Sequence, residues 1–292
     1  MMTLKSYKFY LLLLFLLIIF SLYNISADKQ ASSYHKQGLA LMDEGKYDEA
    51  LELLNKALKL DANNEEIIKD IGNVYYYKGN LDEALNKYQL AIKKNPNYWN
   101  AYNNIGNVYS DKGEKEKALE YYQRASALAP SAWQPYSNIG LIYVDKKNYA
   151  EAIKNFLKVI KIVPDNDEAY SDLGYAYYKN NQLDKAEEVL QKAIQLNPNN
   201  PMAHFNLGNV LATAKRYQDA LYYYQQAAFL EPENSRYYYC IGLMYYGLKQ
   251  DAEALNSLKL ALSKAEKAGD TEMIAIIRQK IKDIKKERGE GN

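Results

Sequence analysis

His35 and His204 are the only histidines in this 292-residue sequence, and Cys240 is its only cysteine. A disulfide or a cysteine-based metal site within one chain is therefore excluded. Ser33-Tyr34-His35-Lys36 has the Ser-x-x-Lys spacing of acyl-transfer enzymes, but the companion Lys-Thr-Gly motif is absent. Glycine-rich phosphate loops and metal-ligand spacings are absent too. No catalytic constellation emerges, no cofactor is implied, and the chain reads as a non-enzyme. Cys240 reads as a small buried hydrophobe, and His204 as a core histidine. The chemistry that remains is recognition.

Composition narrows the partner. Removing residues 1–27, which hold Lys5 and Lys8 and no acidic residue, leaves 35 basic against 36 acidic residues. That balance carries no electrostatic footprint for nucleic acid. Aromatic content is lopsided, with 30 Tyr against 6 Phe and 2 Trp. Tyrosine, apolar in body and polar at its tip, suits places half inside a packed seam and half in water.

The elements that would position such residues recur with a fixed step. Gly38, Gly72, Gly106, Gly140, Gly174, Gly208 and Gly242 lie 34 residues apart, as do Ala50, Ala84, Ala118, Ala152, Ala186, Ala220 and Ala254. Pro96, Pro130, Pro164, Pro198 and Pro232 keep the same step. Within the third copy, Tyr102, Ile105, Gly106 and Tyr109 form one stripe of a helix. Gly113 can end that helix in a left-handed turn, Ala118, Tyr122 and Ala125 form a second stripe, and Pro130 blocks continuation.

This pattern of aromatic, Gly, Tyr, then Ala, aromatic, Ala and Pro resembles the tetratricopeptide repeat (TPR). The resemblance implies an all-α solenoid, a right-handed superhelix of antiparallel helix pairs. Seven units are expected over residues 31–268, at 31–64, 65–98, 99–132, 133–166, 167–200, 201–234 and 235–268. Residues 269–292 are expected to form a C-terminal capping helix and tail, with Met273, Ile277, Ile281 and Ile284 on one face. At the other end, Lys5 and Lys8 precede an apolar run from Phe9 to Phe20. Residues 1–27 are therefore expected to be a cleaved signal or a retained membrane anchor, followed by a short linker at 28–30. Either would place the array on the extracytoplasmic side, with the membrane as a partner if the segment is retained.

In TPR proteins the first helix of each unit lines a concave groove. Carried over, this implies a groove containing Asn73, Asn103, Asn104, Asn107, Asn138, Asn206 and Asn209, with Asp70 and Asp172 at the equivalent sixth place of two units. An asparagine offers both a carbonyl acceptor and amide donors to a peptide backbone. The spacing is similar to that in the TPR domain of O-linked N-acetylglucosamine transferase, and the alternative is a solvated polar face. Tyr76, Tyr175, Phe205 and Tyr239 interleave and would cover apolar guest side chains. Lys69, Asn73 and Asn104 match three of the five positions by which some TPR domains clamp a carboxylate, but Gln134 and Asn138 stand where that clamp has cations. The resemblance thus implies a scaffold that binds a peptide or a partner helix. Self-assembly through the tyrosine-rich surfaces is the alternative.

Overall fold

In the computed structural model the described residues are 4–288, and for residues 4–13, 16 and 18–26 only the backbone is described. Every regular element among them is an α-helix. The chain divides into two compact units, Met1–Ser131 and Ala132–Asn292. The first contains α1 (Leu4–Asp43), α2 (Tyr47–Leu60), α3 (Glu65–Tyr77), α4 (Leu81–Lys94), α5 (Trp99–Asp111) and α6 (Lys115–Leu128). The second contains α7 (Gln134–Asp145), α8 (Tyr149–Ile162), α9 (Asp167–Lys179), α10 (Leu183–Leu196), α11 (Pro201–Thr213), α12 (Tyr217–Leu230), α13 (Ser235–Gly247), α14 (Asp251–Ala268) and α15 (Thr271–Glu287). Up to α14, consecutive helices pack in pairs as hairpins.

Small residues permit the close approach within each hairpin. Ala84, Ala118, Ala152, Ala186 and Ala220 are fully buried. A methyl group on Gly106 would lie 2.5 Å from a ring carbon of Tyr122, and one on Gly174 would lie 2.4 Å from Leu190. The periodic glycines are thus fixed by what faces them on the second helix. Asparagines start many of the first helices. The side chains of Asn64, Asn166, Asn200 and Asn234 accept from backbone N–H groups of α3, α9, α11 and α13. Each such cap is worth about 1 kcal/mol.

The turn inside each hairpin needs a left-handed residue. In the first unit this is glycine, with φ of 74° at Gly45, 79° at Gly79 and 75° at Gly113. In the second unit it is Lys147, Asn181, Lys215 and Lys249, with φ between 56° and 61°. A side chain there costs roughly 1–2 kcal/mol relative to the right-handed conformation, a penalty that packing of the two helices outweighs.

The expectation of an export or anchor segment is corrected by the structure. No helix among the described residues is long and apolar enough to cross a membrane. Instead α1 runs unbroken from Leu4 to Asp43 and passes through residues 28–30. Its continuity has a simple cause: no glycine or proline occurs between Leu4 and Gly38. The expectations of a signal, of a membrane partner and of an extracytoplasmic array fall with that correction. What they drew from residues 1–3, and from the side chains of residues 4–13, 16 and 18–26, lies outside the described residues.

At the other end of the chain, Gly269 adopts φ 70° and stops α14. Asp270 then caps α15 by accepting from the Met273 N–H at 2.9 Å. Met273, Ile277 and Ile284 are buried against Ala254, Leu258, Ala261 and Ala265 of α14. Lys280 lies 4.2 Å from the centre of the Tyr246 ring, and the Tyr246 hydroxyl donates to Glu287.

Candidate peptide-binding site

In the first unit, α3 and α5 bring Lys69, Asp70, Asn73 and Asn104 into one hydrogen-bonded lattice. Asp70 is 3% exposed and takes three partners: Lys69 Nζ at 2.7 Å, His35 Nε2 at 2.8 Å and Asn73 Nδ2 at 3.0 Å. Asn73 Oδ1 accepts from both the Tyr88 hydroxyl and Asn104 Nδ2, each at 2.8 Å. The ammonium of Lys69 is thus neutralised from within the chain, and Asn73 has spent its carbonyl. A carboxylate clamp, which needs that charge, finds no support here. Tyr76 donates to Asp111, and burial together with that carboxylate pushes its hydroxyl up to about 12.

Asn107 Oδ1 accepts from the Tyr122 hydroxyl at 2.9 Å, and in the second unit Asn209 Oδ1 accepts from the Tyr224 hydroxyl at 2.8 Å. With Asn73 and Tyr88, that makes three asparagines each satisfying a largely buried phenol on the second helix of its own hairpin. The other hairpins have Leu39 with Leu54, Leu141 with Phe156, Tyr175 with Leu190 and Leu243 with Leu258 at the same two places. In none of those does the second helix present a hydroxyl to satisfy, and none has an asparagine on the first. Three of the expected groove asparagines therefore have an interior reason to be there.

The remaining candidates in the second unit lie in differing surroundings. Asn206 is 3% exposed, whereas Asn138, Tyr175 and Tyr239 are half-buried. The Phe205 ring stacks at a tilt between Tyr224, at 5.7 Å, and Tyr237, at 5.2 Å. His204 is buried, and its Nε2 lies 2.9 Å from the Pro198 carbonyl, where in α5 the Tyr102 hydroxyl donates to the Pro96 carbonyl at 3.2 Å. Burial pushes the Cys240 thiol up to about 12, so it stays protonated and unreactive at neutral pH. On the first-helix face of this unit, Leu141, Glu168, Ser171, Asp172, Asn200 and Met202 line a cavity of about 450 Å³.

A family model described as the cilia and flagella-associated protein 70 C-terminal domain matches residues 94–285, more than half of the chain. The chain belongs to that TPR family. Two further models, described as TPR repeat and tetratricopeptide repeat, match residues 72–113 and 41–86. Among solved structures, the TPR protein YrrB, described as having an unusual peptide-binding site, is 28% identical with a TM-score of 0.52, covering 66% of this chain and 97% of its own. The MamA protein is 29% identical with a TM-score of 0.52, covering 60% and 95%. The pilF protein of Pseudomonas aeruginosa, 19% identical with a TM-score of 0.64 over 75% and 98%, shares the fold. No curated protein matches the chain. Nothing in these matches ties it specifically to O-linked N-acetylglucosamine transferase.

The TPR family makes this chain a non-catalytic protein-interaction scaffold. Among the described residues no group of three or more His, Cys, Asp or Glu is placed to hold a metal ion. Reasoning from the sequence missed the asparagine–tyrosine pairs and the cavity. The pairs had a signal, since Asn and Tyr co-occur 15 residues apart in three hairpins and neither pattern half occurs in the others. The cavity had none, because it is formed by residues from three separate helices and a connection.

Proposed function

We propose that the first-helix face holds an extended peptide of a partner protein, as TPR grooves with asparagine ladders do. The observation that carries this reading is the fixed amide of Asn104. Its Nδ2 is tied to Asn73, which Tyr88 and Asp70 hold in turn, while its own carbonyl accepts nothing among the described residues. An acceptor already oriented loses little freedom on pairing with a guest backbone. The peptide-binding site described for YrrB, a relative aligned over nearly its whole length, supports the same reading.

Two neighbours on α5 supply the test. Asn104→Ala is expected to weaken binding of neutral peptides from an arrayed library about three- to tenfold, one neutral hydrogen bond's worth, while the melting temperature holds. Asn107→Ala is expected to do the reverse. It strands the Tyr122 hydroxyl, costs about 1 kcal/mol in urea denaturation and leaves peptide affinity unchanged. Equal peptide affinity in both variants and the parent would reject the groove.

A second reading, self-assembly, rests on a separate patch of the second unit. Phe229 is 81% exposed, with Tyr222 at 55% and Leu260 at 43%. Phe229 borders a cavity of about 450 Å³ lined by Ala228, Pro232, Tyr238, Ile241 and Leu260. A knob beside its own hole is self-complementary under two-fold symmetry, so a second copy is the occupant this patch fits. Sedimentation velocity is expected to show concentration-dependent dimers that Phe229→Lys abolishes, and a parent chain that stays monomeric at 100 µM or so would remove this reading.

A further inference from the structure

The cavity on the first-helix face of the second unit has walls of unlike chemistry. Leu141 of α7 and Met202 of α11 are 44% and 49% exposed at its edges, and the carboxylates come from α9. One of these, Asp167, is already engaged, accepting from Asn197 Nδ2 at 3.0 Å and Asn200 Nδ2 at 2.8 Å. Asp172 has neither a hydrogen bond nor an ion pair among the described residues, and its nearest charged influence is the like charge of Glu168.

Asp70 occupies the same place in its own hairpin and shows what such a carboxylate requires. Lys69, His35 and Asn73 surround it within 3.0 Å. At the places corresponding to those three residues, Asp172 has Ser171, Ser137 and Tyr175. The internal cation has been removed, and an open cavity takes its place. We propose that this cavity receives a lysine or arginine side chain of the bound peptide, with the charged end at Asp172 and Glu168 and the aliphatic stem between Leu141 and Met202. The proposal rests on the peptide-binding reading above and adds to it the chemistry of one guest residue.

Physical chemistry favours this occupant over an acidic or apolar one. A carboxylate removed from water without a partner is costly, and a guest ammonium or guanidinium compensates it through charge-assisted hydrogen bonds. Long basic side chains also bury their stems on apolar surface while keeping the charged head polar. The titratable groups lining the cavity are Asp167, Glu168 and Asp172, all on α9. α7 and α11 add Leu141, Pro201 and Met202, and the connection before α11 adds Asn197, Asn199 and Asn200. No cation among the described residues lines it. Burial, with Glu168 beside it, pushes the Asp172 carboxyl up to about 7. Affinity for a basic guest should therefore rise about tenfold between pH 6 and pH 8, as Asp172 ionises.

The test uses the full chain and two probes. The first is a set of fluorescein-labelled ten-residue alanine-serine peptides with a central lysine, arginine, norleucine or glutamate, followed by anisotropy. At pH 8 the lysine and arginine peptides are expected to bind at least tenfold tighter than the norleucine peptide. Asp172→Asn, which preserves shape, should abolish that preference while leaving the norleucine peptide unaffected. The second probe is butylguanidinium alone, which is expected to lower the titration midpoint of the ¹³C-labelled Asp172 carboxyl, whereas butylurea leaves it in place. Peptides that all bind alike, with an unmoved midpoint, would overturn the basic subsite and leave the peptide groove standing. No peptide binding, with a lowered midpoint, would overturn the groove and keep the cation site. Failure of both probes overturns both.

Discussion

A chain ending at Gly269 is expected to exchange the amide hydrogens of α14 about a hundredfold faster than the full chain. The reason is the face that α15 covers. Met273, Ile277 and Ile284 are buried on Ala254, Leu258, Ala261 and Ala265, and each such side chain contributes about 1.5–3 kcal/mol. Ordering the residues of α15 opposes this, so a net loss of about 3 kcal/mol is expected for the last hairpin, which sets the hundredfold. Removal also takes away Glu287 and Lys280, the partners of Tyr246. The uncovered apolar face should then self-associate, visible as larger species in sedimentation. Unchanged exchange in α14 would mean that α15 contributes nothing to holding that hairpin.

Replacing Asp172 by asparagine is expected to stabilise the protein at pH 8. The folded state holds the Asp172 proton up to about pH 7, whereas an unfolded aspartate loses it near pH 3.8. A carboxyl raised in this way contributes its stability fully below the unfolded value and loses it as pH climbs through the folded one. The parent chain should therefore lose stability between about pH 4 and pH 7, and Asp172→Asn should not. With allowance for water at the cavity mouth, the gap at pH 8 is about 2 kcal/mol, or roughly 4–8 °C in melting temperature. Near pH 3.5 the two melting curves should coincide. A variant that melts with or below its parent at pH 8 would show that the carboxylate is already well solvated or paired. A destabilising group retained in a recognition face is the usual compromise between stability and function.

The helical hairpins were legible in the sequence because their determinants repeat. Gly106 and Ala118 are small for one reason in every copy, the close approach of two backbones, and periodicity amplifies such a reason. The recognition residues were legible only in part. Asn104 and Asn107 look alike on a first helix, yet one has a free carbonyl and the other holds Tyr122. That difference is set by the second helix of the hairpin, which a list of first-helix positions does not contain. Asp70 and Asp172 likewise share a register, and only their neighbours leave one neutralised and the other without a partner among the described residues. The left-handed turns were read from Gly113, although Lys147, Lys215 and Lys249 accept the same conformation under tertiary constraint. At the N-terminus the apolar run drew attention away from the lack of any helix breaker before Ala31, which is what lets α1 continue.

The asparagine–tyrosine pairs also bear on how such an array can change by duplication and exchange. Asn73 with Tyr88, Asn107 with Tyr122 and Asn209 with Tyr224 each lie within a single hairpin. A crossover in the connection between hairpins carries both partners along and delivers an interior already satisfied. A crossover at the left-handed turn separates them, leaving a phenol facing leucine or an amide facing hydrocarbon. The unit that can be inherited, swapped or copied without repair is therefore the hairpin and not the helix. Bonds that reach between hairpins, such as Asn104 to Asn73, are the ones each new arrangement must rediscover.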